Sequence, residues 1–284
     1  MTKYQVADIK FEFNYNFDNY FKNNIEDYII EDSSLINHKI RVKLVNELAL
    51  PYGNIFGKQN PYTITNEDKR IIFFKKKNQV SILMKHDHDY KNIEIFLNQN
   101  LIKNLPQTEY IMSGIMFLEL AMHLGYLPIH ATAISISNEA VLFSAPSGTG
   151  KSTHANYWKQ LYPETIFIND DKPLINIENN ELYVYGSPFS GEHRINKNIK
   201  TKLKAIVLLK QGIDNKIEVS NINEIIPELI KNTLNPKLES SWNKIIPLIE
   251  KIYDNIPVLK LHATNSKESV KEIYNYLKQY KIKF

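Results

Sequence analysis

Two groups of residues in this chain have the types and spacing for phosphoryl chemistry. The first is VLFSAPSGTGKS, Val141–Ser152. Ser147, Gly148, Thr149 and Gly150 form a turn of small residues, and Lys151, Ser152 and Thr153 follow at once. Successive amides in such a turn point into a common hollow and hold phosphate oxygens. The start of a helix adds unpaired N–H groups and partial positive charge. Gly148 and Gly150 supply backbone angles that a Cβ would disfavour. Lys151 can reach outer phosphates, and the Ser152 hydroxyl can ligate Mg²⁺. The general pattern G-x-x-x-x-G-K-[ST] has Ala145 in its first place here, which Gly148 partly offsets. The competing reading is an ordinary strand–turn–helix corner; an apolar strand before the turn and a helix after it favour phosphate binding.

The second group is Asp170-Asp171, at the end of an apolar run. Adjacent carboxylates at a strand end can divide two jobs: one holds the metal, the other accepts a proton from an attacking hydroxyl. A polar turn before Pro173 is the alternative. His130, in PIHATAISIS, is placed on the strand expected beside the phosphate-loop strand. Its imidazole can tune a carboxylate or stabilise phosphoryl charge; a hydrogen-bonded core histidine is the plainer reading. In GSPFSGEHRIN, Gly186–Asn196, the glycines allow close backbone approach and Arg194 can pair with phosphate oxygens in fork geometry. Glu192 and His193 are further candidates there, and His154 is read as facing solvent or nucleotide.

These residues need elements to position them. The pattern predicts a strand over Ala140–Phe143, a helix from Thr153 to Leu161, and a strand over Thr165–Ile168 that ends in the Asp pair. Leu127–Ile136 is read as one strand, paired with Ala140–Phe143 across Ser137-Asn138-Glu139. Leu174–Ile177 and Leu182–Tyr185 flank an Asn179-Asn180 turn. Leu203–Lys210 and Pro257–His262 read as strands, and Ile222–Asn232, Lys237–Ile252 and Lys267–Tyr280 as helices, the last capped by Asn265 or Ser266. Thr108–Leu124 is apolar on all sides, as in a buried helix, with Gly125 as its stop. Residues 1–104 read as an antiparallel, β-rich unit without identifiable chemistry, and residues 105–284 as the domain that carries it. In that first unit, Phe17–Ile30 has a near-helical spacing, Leu35–Leu48 is mixed, and Arg70–Phe74 with Gln79–Met84 makes a hairpin. His86 and His88 read as a solvated turn rather than a metal site.

Composition narrows the function classes. Of 284 residues, 43% are hydrophobic and 23% charged, as in ordinary globular proteins. A net charge of +4, with lysines scattered, is not a nucleic-acid tail. There is no cysteine, so disulfides, thiolate metal sites and cysteine nucleophiles are excluded. No run has signal-peptide or membrane-span character, and a cytoplasmic protein without membrane or nucleic-acid partners is expected.

His130, Ser147-Gly148-Thr149-Gly150-Lys151-Ser152 and Asp170-Asp171 together resemble the HPr kinase/phosphorylase family, whose nucleotide-binding core is similar to that of ATP-dependent phosphoenolpyruvate carboxykinase. APSGTGKST, NDDKP and YGSPFSG look closest to the shorter HPr-kinase-like proteins, some of which act beside ribosomally made, modified peptides. The resemblance implies an α/β fold with a mixed, carboxykinase-like sheet. It implies ATP and Mg²⁺, with Lys151 holding phosphates, Ser152 ligating the metal, Asp171 supporting it, Asp170 as general base and His130 assisting. The Glu and Arg-Gly-rich signature after the Asp pair of true HPr kinases is absent, and residues 1–104 do not resemble the family's regulatory domain. An acceptor other than HPr is therefore expected: a Ser or Thr hydroxyl on a peptide or small protein, such as a ribosomally made precursor. A small-molecule kinase and a nucleotide-binding regulator without transfer remain open, a carboxykinase-type lyase less so, and oligomeric state is not legible.

Overall fold

A computed structural model describes residues 2–31, 35–65, 69–190, 194–219 and 221–280. The chain divides into two compact units, Met1–Leu120 and Ala121–Phe284.

The first unit holds β1 (Thr2–Val6), β2 (Ile9–Asn14), α1 (Asp18–Ile25), β3 (His38–Val45), β4 (Tyr62–Thr65), β5 (Lys69–Lys76), β6 (Gln79–Asp87) and β7 (Asn92–Asn98). They form one sheet in the order β1-β2-β3-β7-β6-β5-β4. The sheet is mixed, not antiparallel as the sequence pattern suggests: β3 runs parallel to both β2 and β7. The reason is the connection. The segment between β2 and β3 includes α1 and is long enough to return the chain in the same direction, which a hairpin cannot do. The mixed stretch Leu35–Leu48 contains β3, where only His38 and Ile40 are buried, so its alternation is faint. The β5–β6 hairpin turns at Lys77-Asn78, both at positive φ. His86 lies on β6, not in a solvated turn; it is buried, its ring stacks on Tyr90 at 3.9 Å, and burial lowers its pKa to about 4. Arg70 and Glu119 form an ion pair at 2.9 Å with both side chains 6% exposed.

Helix α2 (Leu105–His123) begins at the Leu-Pro step taken from the sequence as a boundary. Buried Met116, Phe117 and Leu120 fit its apolar sequence, whereas Ile111 is exposed.

The second unit contains β8 (Leu127–Pro128), β9 (Ala131–Ile136), β10 (Glu139–Ser144), α3 (Lys151–Leu161), β11 (Ile166–Asn169), β12 (Leu174–Glu178), β13 (Glu181–Tyr185), β14 (Lys200–Gln211), β15 (Lys216–Val219), α4 (Ile222–Lys231), α5 (Glu239–Asn255), β16 (Val258–Ala263) and α6 (Glu268–Lys278). Its nine-stranded sheet runs β11-β9-β10-β14-β13-β12-β8, with β16 on β14 and β15 on β16. Leu127–Ile136 is not one strand. It bends at Ile129-His130, pairing with β12 before the bend and with β10 and β11 after it. The facing segment bends likewise at Asp170–Pro173, so the two ends of the strand path meet at these bends. Strand β14 pairs with β13 along its first residues and with β16, in parallel, along its last.

Alternation on β10 sorts the core. Ala140 and Leu142 face the cluster that includes Ile225 and Leu229 of α4 and Ile245 and Ile249 of α5. Val141 and Phe143 face the one that includes Trp158 of α3 and Ile273 of α6. Strand β15 has no counterpart in the sequence reading; none of its residues is buried, so it carries no strand signal. The last helix is preceded by Lys267, with no side-chain cap from Asn265 or Ser266.

Candidate active site

The residues read from the sequence as a phosphate loop connect β10 to α3. Thr149 N–H donates to the Pro146 carbonyl at 3.3 Å, closing the turn. Gly148 and Gly150 have φ of +80° and +102°, and a Cβ at either would meet nothing within 4 Å. Backbone conformation, not crowding, therefore selects glycine here. Helix α3 begins at Lys151, earlier than the Thr153 of the sequence reading, and no side chain caps it. Its first N–H groups are left for a ligand. The hydroxyls of Ser147, Thr149, Ser152 and Thr153 make no hydrogen bond among the described residues.

Lys151 folds back across the loop. Its ammonium donates to the carbonyls of Ala145 (2.9 Å) and Pro146 (3.3 Å) and lies 2.9 Å from His130 Nε2. All three of its donors are thus engaged. His130 Nδ1 lies 2.6 Å from Asp171 Oδ1, so the imidazole links the ammonium to the carboxylate. The network assigns the tautomer: Nε2 accepts from Lys151, and Nδ1–H donates to Asp171. Lys172 Nζ completes the group as a donor to Asp171 Oδ1 at 3.2 Å; it also lies 2.9 Å from His130 Nδ1, which carries its own hydrogen in this arrangement and accepts nothing from it. Burial pushes the Asp171 carboxyl up, but the His130 hydrogen bond and the nearby Lys172 ammonium outweigh it and hold the pKa below its ordinary value. Burial lowers the Lys151 pKa, with Asp171 opposing and Lys172 adding to the shift.

The backbone of the Asp pair is set by Asn169. Its Oδ1 accepts from the N–H groups of Asp171 (2.8 Å) and Lys172 (2.7 Å), and its Nδ2 donates to the Ser187 carbonyl at 2.8 Å. Such an Asx turn fixes the two residues that follow. The Gly186–Asn196 loop lies alongside. Asp170 N–H donates to the Ile195 carbonyl, and Lys197 N–H to the Ile168 carbonyl. Asp170 is buried at 6% exposure. Arg194 is exposed, with a left-handed backbone at φ 51°. Gly191, Glu192 and His193 lie outside the described residues. His154 does not face solvent. Helix α3 turns it into the core, where it packs edge-on to Phe143, lies 3.2 Å from Ser269 Oγ, and has its pKa lowered to about 4 by burial.

Three cavities adjoin the loop. One, of about 420 Å³, lies against the first turns of α3 and the ends of β14 and β16, with Thr153, Tyr157, Gln211 and Asn265 in its wall. A second, of about 560 Å³, lies on the other flank, between the loop and Glu228 and Lys231 of α4. A third, of about 310 Å³, is bounded by His130, Pro146, Lys172, Lys231 and Leu234. Asn169, Lys172, Tyr157 and Lys231 are the site residues that motif reading did not single out. Asn169 carried a signal, an Asx-turn residue before two carboxylates; Lys231 comes from a distant helix and carried none.

The donor set suits magnesium held together with a nucleotide. Such a metal takes one or two protein oxygens and fills the rest with phosphate and water. Ser152 and Asp171 would offer that many. Among the described residues, no group of three or more His, Cys, Asp or Glu forms a cage of its own. No described helix is long and apolar enough to cross a membrane.

No family model matches the chain, and no curated protein matches it. Among solved structures, the chain is distantly similar to the Hpr(Ser) kinase/phosphatase from Coxiella burnetii, with 12% identity, a TM-score of 0.32, and coverage of 55% of this chain and 99% of that one. At that distance the activity has to be read from this chain's own residues.

Proposed function

We propose that the protein transfers the γ-phosphoryl group of ATP to a hydroxyl of a peptide or small protein, with Mg²⁺ as cofactor. The observation that carries this reading is the Lys151–His130–Asp171 chain at the start of an uncapped helix, with Asp170 next to it in the chain. The loop amides and Lys151 hold the phosphates. To reach them, Lys151 exchanges its longest contact, that to Pro146, for a phosphate oxygen. Ser152 and Asp171 hold the metal, which supplies neutralising charge when bound. Asp170 takes the proton from the acceptor hydroxyl as its oxygen bonds to phosphorus. The bond from that phosphorus to the bridging oxygen breaks, and ADP leaves with the electron pair. His130 keeps Lys151 and Asp171 in place, and Arg194 pairs with phosphate charge.

The test is incubation with γ-labelled ATP, Mg²⁺ and a lysate. Label is expected in peptide or small protein, lost in Lys151→Ala and in Asp170→Asn, with Asp170→Asn still binding nucleotide. Normal labelling by Lys151→Ala would overturn the reading. Label confined to a metabolite would replace the peptide by a small-molecule acceptor, and nucleotide binding without turnover would leave a regulator.

A further inference from the structure

Lys231 and Pro146 line both cavities on the α4 side of the loop. The end of α4 is fastened to the backbone at His130. His130 N–H donates to the Asn232 carbonyl at 2.6 Å, and Ile129 bridges to Thr233. Asn232 and Thr233 are both 8% exposed, whereas Lys231, one residue earlier, is exposed and has no ion pair among the described residues. Its neighbour one turn back, Glu228, pairs with Lys210 at 3.4 Å. Lys172 is already shared with Asp171. The His130 cavity therefore has apolar walls at Pro146 and Leu234 and two lysines in its lining, Lys231 without an ion pair among the described residues and Lys172 shared with Asp171.

We infer that this cavity is the acceptor subsite, and that it selects a hydroxyl carried close to a carboxylate. The inference rests on the transfer reading for the word acceptor. An in-line displacement brings the acceptor in opposite the leaving group, and this cavity touches His130, which holds the phosphate-binding lysine. The carboxylate pairs with Lys231, the apolar walls take the short aliphatic arm, and the hydroxyl reaches past His130 toward Asp170, which takes its proton. A lysine in a last helical turn also offsets the helix dipole, but that role sets no preference among acceptors.

The shared chemistry has two sources, an acidic seryl peptide or a free hydroxy acid. The probes are fluorescent heptapeptides of alanine around one serine flanked by Asp, Asn or Lys, with free L-serine as competitor. They are titrated by anisotropy into the full chain with Mg²⁺ and ADP. The Asp peptide is expected to bind about tenfold more tightly than the Asn peptide, and Lys231→Glu to reverse the order in favour of the Lys peptide with ADP affinity unchanged. Displacement by free serine identifies a small hydroxy acid, and its failure to compete identifies a peptide. Equal binding of the Asp and Asn peptides, binding of none of the probes, or a Lys231→Glu effect on ADP alone would overturn the subsite. If the Asp preference stands but labelled ATP labels neither the peptide nor free serine, the transfer reading falls and the anion subsite survives. Equal transfer to Asp and Asn peptides, unaltered by Lys231→Glu, removes the subsite and leaves transfer.

Discussion

His130→Ala removes the link between Lys151 and Asp171 in one step. Two contacts go, one at 2.9 Å to the ammonium and one at 2.6 Å to the carboxylate. Hydrogen bonds to charged groups are each worth about 1.5–3 kcal/mol. Two corrections lower the sum. The His130 and Asp171 side chains are each 27% exposed, so water replaces part of what is lost. Asp171 also keeps Lys172 at 3.2 Å. A net loss of about 2 kcal/mol follows, roughly a thirtyfold change in the folding equilibrium. The assay is built into the chain: its 2 tryptophans, Trp158 and Trp242, both lie in the second unit, so their fluorescence in urea reports that unit alone. His130→Gln, with one amide donor and one acceptor, is expected to recover about half of the loss. A double-mutant cycle of His130→Ala with Asp171→Asn is expected to show about 1 kcal/mol or more of coupling. A loss below about 0.5 kcal/mol for His130→Ala, together with additive behaviour in the cycle, would refute the linkage. The depressed Asp171 pKa adds a pH signature: its contribution is fully present above the ordinary value of 3.8 and is lost as pH falls through the folded-state pKa.

Acidification tests the buried histidines. His86 and His154 each have a folded pKa near 4 against 6.5 unfolded, so the unfolded chain binds protons first and stability falls as pH drops from 6.5 toward 4. Each costs on the order of 3 kcal/mol across that window, and His154→Leu is expected to flatten the slope seen by tryptophan fluorescence. In the first unit, Arg70→Met should cost up to about 3–5 kcal/mol by removing the charge that balances Glu119, whose other contacts, the Tyr90 hydroxyl at 3.4 Å among them, stay; the loss is read as faster hydrogen exchange in β5 and β6. Replacing both partners by apolar residues should restore most of it. Gly186→Ala places a Cβ 1.8 Å from the Lys197 carbonyl oxygen, a backbone atom. A loss of about 2–3 kcal/mol is expected in urea unfolding, together with weaker nucleotide binding, because the same loop segment holds Asp170 N–H.

Local signals set much of this protein. The turns Lys77-Asn78, Ser137-Asn138 and Asn179-Asn180 all adopt positive φ at both residues and share an Asn, which tolerates that conformation, at the second, so their hairpins were legible. The strand–turn–helix corner over Ser147–Ser152 was legible because its signals are written in adjacent residues: glycines for backbone angle, then a helix start. What needed the fold was every decision made across the sheet. The parallel placement of β3 depends on where a long connection returns, and His154 is buried because α3 turns that face onto Phe143. His130 and Asp171 are 41 residues apart, yet meet because two strands bend at the same level. Lys231 reaches the site from α4, whose end is held where the His130 N–H donates to the Asn232 carbonyl and Ile129 bridges to Thr233. Spacing along the chain carries no record of such meetings; they arise when buried apolar faces choose which strands lie side by side.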